Sequence, residues 1–222
     1  MKKYHLLFLA IFIGFYADAQ ENKNAITFDI APLIVQPSRV SLGYMRNLNE
    51  RVFVAGELGY SFSEGLGRMN GKSTDYKQLQ YRLEAGYILS PTYKVHHFLS
   101  IDFQHINHKE TLFDGHFKGN ELGVYENEIF YKYDRVKYER LKNTLSFNYG
   151  VMIYFGDAKR VGVIPKIGLG LKIVDVKFSE AENLQQDNDF EWGWFDFGNR
   201  YEREGDSVDA TINLQVKIFY KF

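Results

Sequence analysis

The sequence predicts an all-β protein: an eight-stranded antiparallel up-and-down transmembrane β-barrel with short periplasmic turns and long extracellular loops. Three observations predict it. Eight segments alternate apolar and polar residues with a period of two, the signature of a strand with one greasy face. The connections between them alternate short and long, as in barrels that cross an outer membrane. The chain also begins with a basic, then apolar, then small-residue pattern that reads as an export signal.

That signal is Met1-Lys2-Lys3, an apolar run from Leu6 to Tyr16, and Ala17-Asp18-Ala19 before Gln20. It predicts a cleaved signal peptide over residues 1–19 and a single barrel domain over 20–222. The apolar run is too short for a helical span, which needs roughly 20 residues. With no cysteine in the chain, a lipid-modified cysteine start and disulfide staples are both excluded. Of 27 basic and 28 acidic residues, cleavage removes Lys2, Lys3 and Asp18, leaving a nearly neutral domain that argues against a nucleic-acid partner. The 17% aromatic content fits aromatic girdles at membrane interfaces.

The strands follow in order. The first, Ala25 to Val35, sets Ile26, Phe28, Ile30, Pro32 and Ile34 against Thr27 and Asp29. The second, Arg39 to Leu48, sets Val40, Leu42 and Tyr44 against Ser41 and Gly43. The third, Arg51 to Phe62, sets Val52, Val54, Leu58 and Tyr60 against Ala55, Glu57 and Gly59. The fourth, Gln78 to Leu89, sets Leu79, Tyr81, Leu83 and Tyr87 against Gln80, Arg82 and Glu84. The fifth, Val95 to His108, is less regular, with Leu99, Ile101 and Phe103 opposite Ser100, Asp102 and Gln104. The sixth, Leu141 to Phe155, is strict, with Leu145, Phe147, Tyr149, Val151 and Ile153 against Ser146, Asn148 and Gly150. The seventh, Val161 to about Phe178, opposes Ile167, Leu169 and Leu171 to Lys166, Gly168 and Lys172, and its apolar parity switches near Val174, which predicts a bulge. The eighth, Ser207 to Phe222, is apolar at every even position, and only Phe219 breaks the pattern.

Tight connections join strands two and three (Asn49-Glu50), four and five (Ser90 to Lys94) and six and seven (Gly156 to Arg160). The others are the short Gln36-Pro37-Ser38 and the long Ser63 to Lys77, Asn107 to Arg140 and Ser179 to Asp206. A soluble lipocalin-like barrel also closes eight strands, with its apolar face inward. The export signal, the loop asymmetry and the terminal Phe222 favour the membrane form. The polar face then forms an interior charge network of Asp29, Glu57, Arg82, Glu84, Asp102, Lys166, Lys172, Asp209 and Lys217. Eight strands leave room only for side chains, so a plugged, ion-paired interior is expected rather than a general pore.

Several segments resemble the small outer-membrane β-barrel proteins, of which the OmpA amino-terminal domain and OmpX are eight-stranded members, and other outer-membrane barrel families of Gram-negative bacteria. They are Phe28-Asp29-Ile30-Ala31-Pro32-Leu33, Pro37-Ser38-Arg39-Val40-Ser41-Leu42-Gly43-Tyr44, Gly56-Glu57-Leu58-Gly59-Tyr60 and Ile218-Phe219-Tyr220-Lys221-Phe222. The resemblance implies a location in the outer membrane, among its lipid and lipopolysaccharide. The ending resembles the signal read by the barrel-assembly machinery, with Tyr220 and Phe222 as its aromatic positions. It implies nothing about activity.

Catalytic signals are sparse. His105 lies on the lipid-facing parity near the outer end of strand five, where a lipid-A deacylase would want a serine and a carboxylate beside it; the residue two beyond is Asn107. His96 and His97 lie at the opposite, periplasmic end and read as interfacial residues. Asp187-Asn188-Asp189-Phe190-Glu191 begins like a calcium loop but carries Gly198 at the twelfth position, so Asp187, Asp189 and Glu191 make at most a loose cation site. Ile129 to Tyr138 could continue strand six as a protruding ribbon. No phosphate loop, zinc cluster or cofactor motif is present. The expected role is structural or recognitional, through long surface loops open to an extracellular ligand, without catalysis; a lipid-A-modifying enzyme and a narrow small-solute channel are the alternatives.

Overall fold

The structure, a computed structural model, describes residues 23–31, 39–61, 72–91, 94–122, 128–187 and 203–222. The predicted signal peptide lies outside them. The described chain is all-β, in nine strands: β1 (Asn24–Asp29), β2 (Val40–Asn47), β3 (Val52–Ser61), β4 (Lys72–Pro91), β5 (Val95–Leu122), β6 (Glu128–Phe155), β7 (Val161–Glu182), β8 (Gln185–Gln186) and β9 (Gly205–Lys221). Each of β1 to β6 pairs antiparallel with the next, β7 pairs with β9, and β9 pairs with β1. Eight strands therefore close into a ring, and the two-residue β8 lies against the far part of β6. Bonds from the Ile30 amide to the Val216 carbonyl and from the Phe222 amide to the Asn24 carbonyl, both 2.9 Å, extend the closing seam at its two ends.

The period of two holds through the ring. In β4, Gln78, Gln80, Arg82 and Glu84 are buried while Leu79, Tyr81, Leu83 and Tyr87 are exposed. The apolar face thus points away from the ring and the polar face into it. The first strand is shorter than its pattern predicts, ending at Asp29, and Pro32 to Val35 lie outside the described residues.

Two expectations are corrected at the long-connection end. Most of Asn107 to Arg140 is not a loop, because β5 and β6 stay paired from Val95 opposite Ile153 out to Leu122 opposite Glu128. The parity switch near Val174 is not a bulge either. The pairing of β7 with β9 runs without a shift from Val161 to Val176, and its shift against β6 falls further out, between Ser179 and Glu182. Glu180 there takes the left-handed backbone, φ 51°. Val174 and Val176 still point inward; it is the polarity of the two faces that exchanges. Beyond this level the outward positions are Asp175 and Lys177, and the interior becomes an apolar cluster of Leu112, Phe117, Tyr133, Val136, Tyr138, Val174 and Val176. Phe117 stacks on Phe178 at 4.1 Å.

A second apolar layer closes the short-turn end, formed by Ala25, Met45, Phe53, Ile88, Phe98, Met152, Tyr154, Ile164 and Phe219. Phe219, the apparent break in the last strand, points inward here and is buried. Its neighbours explain the fit. Phe53 faces Gly86 across β3–β4, Phe98 faces Gly150 across β5–β6, and Phe219 faces Gly162 across β7–β9. In each pair the aromatic ring occupies the place where the glycine would carry a Cβ. Aromatic cover of a cross-strand glycine restores the packing that glycine lacks. Gly150→Ala should push Phe98 off its seat and cost about 1–3 kcal/mol, read as a lower midpoint in urea unfolding. Phe98→Ala should cost about 3–5 kcal/mol in the same measurement.

Candidate functional site

Between the two apolar layers lies a polar band, built because the inward positions of neighbouring strands fall in register. Glu57 on β3 stands opposite Arg82 on β4, Glu84 opposite Asp102 on β5, and Asp29 on β1 opposite Lys217 on β9. Lys217 Nζ lies 2.7 Å from Glu57 and 3.7 Å from Glu84. Lys166 Nζ lies 2.7 Å from Glu84 and 3.0 Å from Asp102. Glu84 so bridges the two lysines. Asp102 also accepts hydrogen bonds from Asn148 at 2.9 Å and Asn213 at 3.0 Å, and Gln80 donates to Glu57 at 3.2 Å. Arg82 is buried within electrostatic reach of Asp29 and Glu57. Lys172 pairs with Asp209 at 3.6 Å, nearer the long-connection end.

Seven of the nine charges predicted for the interior, Asp29, Glu57, Arg82, Glu84, Asp102, Lys166 and Lys217, belong to one network, with Lys172 and Asp209 as an adjoining pair. Such closely paired ions, with added amide donors, meet the condition under which burying charge is tolerable. The amides Gln80, Asn148, Asn213 and Gln215 were not singled out by the sequence, although they share the inward parity. Lys142 and Arg140 share it too, but lie at the start of the strict sixth segment or in the expected loop.

The remaining candidates are dispersed. His105 Nδ1 lies 2.8 Å from Asn143 Oδ1 and its ring stacks on Tyr81 at 4.8 Å, so its neighbours are an amide and a phenol. His97 pairs with the Tyr149 hydroxyl at 2.6 Å, and His96 packs edge-on against Tyr154. Asp187 Oδ2 lies 3.1 Å from His116 Nε2; Asp189, Glu191 and the aromatic run Phe190 to Phe197 lie outside the described residues. Among the described residues no three His, Asp or Glu are grouped to hold a metal ion. Tyr220 and Phe222 point outward and are exposed.

Beyond the polar band, the long-connection end carries its ions on the outward face. Lys109 pairs with Glu139 at 2.7 Å, Lys177 with Asp175 at 3.0 Å and Arg135 with Glu182 at 2.6 Å. The hydrogen bond from Lys177 to the Asp175 carboxylate holds its ammonium above the ordinary lysine range. Inward at this level, burial pushes the Tyr76 phenol up to about 12, and its ring packs 4.7 Å from His108.

Comparison with protein-family models and with curated proteins finds no match for the chain.

Lys217→Met would leave Glu57 buried without its ammonium. The expected cost is about 3–5 kcal/mol, the penalty for an orphaned buried charge. Adding Glu57→Gln should recover part of it, because the pair is then removed rather than broken. Equilibrium urea unfolding of the two variants measures both effects.

Proposed function

We propose that the chain is an outer-membrane β-barrel protein that acts as a rigid, lipid-anchored scaffold and presents its long connections for structural contact or recognition outside the cell. One observation carries this: an unbroken belt of exposed apolar side chains around a closed ring whose interior is charged. Leu58 is 66% exposed, Leu169 70% and Leu214 67%, in a belt that also holds Leu83, Ile101, Leu145 and Ile212. Apolar surface of that extent is not carried by a protein surrounded by water, whereas lipid is its natural solvent. A closed ring suits lipid because every strand finds a partner and no backbone edge is left in hydrocarbon.

Aromatic side chains border the belt on both sides. Tyr87, Phe155, Tyr220 and Phe222 stand near the short turns, and Tyr60, Tyr81 and Phe103 toward the long connections, all exposed. Paired girdles of this kind mark the two interfaces of a bilayer. The outward ion pairs, such as Lys109 with Glu139, begin beyond the second girdle, which supports water there. Short turns then face the periplasm, and the projecting β5–β6 ribbon faces outward. Lipopolysaccharide would surround the upper girdle, and the barrel-assembly machinery would insert the chain after removal of residues 1–19.

The interior favours a closed conduit over a small-solute channel, since the ion-paired band is capped at the short-turn end by Phe53, Phe98 and Phe219. Among the described residues the partners of His105 are Asn143 and Tyr81, which are neither the serine nor the carboxylate that a serine hydrolase on lipid would need.

Leu214→Arg should cost about 2–4 kcal/mol if Leu214 faces lipid near the midplane, read as unfolding in bilayers. Equal stability, or recovery of the wild-type chain as freely soluble periplasmic protein without heat-modifiable gel mobility, would refute the membrane assignment. In planar bilayers the protein should give no discrete conductance steps, and lipid A from cells with and without it should carry the same acyl chains.

A further inference from the structure

The inward charges do not balance evenly along the ring. In the deeper band Glu57, Glu84 and Asp102 meet Lys166 and Lys217 directly, Asp29 stands opposite Lys217 in the ladder, and Arg82 and Arg39 lie in electrostatic reach of Asp29 and Glu57. Those four acids and four bases cancel. Nearer the long connections the inward bases are Lys172, Lys142 and Arg140, and the inward acids are Asp209, 3.6 Å from Lys172, and Glu110, 3.0 Å from His108. Among the described residues one positive charge is left over.

Lys142 is where the excess concentrates. The register sets it between Ile106 on β5 and Val174 on β7, and the charges that act on it most strongly are Arg140, Lys172, Arg39 and Arg82, all positive. Among the described residues it makes no ion pair or hydrogen bond. Arg82, below it, is 3% exposed, and its Nε and Nη1 have no acceptor, nor has Nε of Arg39. Three cations from β4, β6 and the residue leading into β2 thus hold unused N–H donors in one part of the interior. Water can satisfy those donors but not the charge.

We infer that Lys142, Arg82 and Arg39, flanked by Arg140 and Lys172, form a binding site for one small oxyanion such as phosphate or a carboxylate in the outer half of the ring. Two guanidinium groups and an ammonium offer the planar and point-charge donors that oxyanions accept. The wall of strands separates this site from the apolar belt, so the ligand is a free anion rather than a lipid headgroup. The site stands apart from the membrane assignment, because it depends on the interior alone.

The test uses the full mature chain refolded in a neutral detergent free of phospholipid. Calorimetric titration with inorganic phosphate should show saturable binding of one anion, and phosphate should raise the unfolding midpoint, as any ligand selective for the folded state does. Lys142→Gln should weaken binding by about tenfold or more, the usual effect of losing a charge-assisted hydrogen bond. Because it removes an uncompensated charge, it should unfold no earlier than wild type in phosphate-free buffer. Lys142→Arg should keep binding, and Lys177→Gln, on the outward face, should leave it unchanged. Absence of saturable binding to the folded wild-type chain would overturn the inference. So would a Lys142→Gln variant that binds phosphate as wild type does, or one that is less stable than wild type without phosphate.

Discussion

The pairing of β1 with β9, from Ala25 opposite Lys221 to Asp29 opposite Lys217, turns a sheet into a ring, and everything else in the molecule depends on it. An open sheet would present unpaired amide and carbonyl groups along β1 and β9, which hydrocarbon penalises heavily and water exposes to aggregation. Closure also creates an inside. Lys217 meets Glu57 only because β9 is brought round to within reach of β3 across the interior, and the same closure brings Asn213 to Asp102, 111 residues apart in the chain.

Given an inside this narrow, its contents are dictated by packing. The interior has three layers with different chemistry: aromatic rings seated on glycines near the short turns, a band of paired ions and amides, and a second apolar cluster on the walls of β5, β6 and β7. The apolar layers need no compensation beyond good fit. The middle layer is tolerable because each acid there is met by a lysine, an amide or a nearby guanidinium. Where the compensation stops, at Lys142, the structure leaves positive charge and free donors together, the condition for holding an anion.

The exterior is layered in the opposite sense. It is apolar around the charged band and, at the long-connection end, charged where the interior is apolar, and in β7 the exchange occurs along a single strand without a bulge. β7 makes this plain: Ile167, Leu169 and Leu171 face out beside an inward Lys166, while Asp175 and Lys177 face out beside an inward Val174 and Val176. A strand that passes from lipid into water would need such an inversion, because its solvent changes while its pleat does not. The membrane assignment and the projecting β5–β6 ribbon rest on the same change of solvent.

The sequence alone determined the parity of each strand, because alternation of side chains is a property of the extended backbone and needs no partner. It was enough to set Asp29, Glu57, Arg82, Glu84, Asp102, Lys166 and Lys217 on one face, and to separate that face from the leucines. It could not distinguish a bulge from an inversion of polarity at Val174, since both reverse the apolar parity. It read only Ile129 to Tyr138 of the connection from Asn107 to Arg140 as a continuation of strand six: the inward positions pass from the polar His108, Glu110 and Arg140 to the apolar Leu112, Val136 and Tyr138, so no single alternation marks the stretch although the pairing continues. Only the tertiary structure decided which charges meet. That depends on register and on the crossing of the interior, which bring together residues from strands distant in the chain, and it set Lys142 where the charges acting on it most strongly are Arg140, Lys172, Arg39 and Arg82.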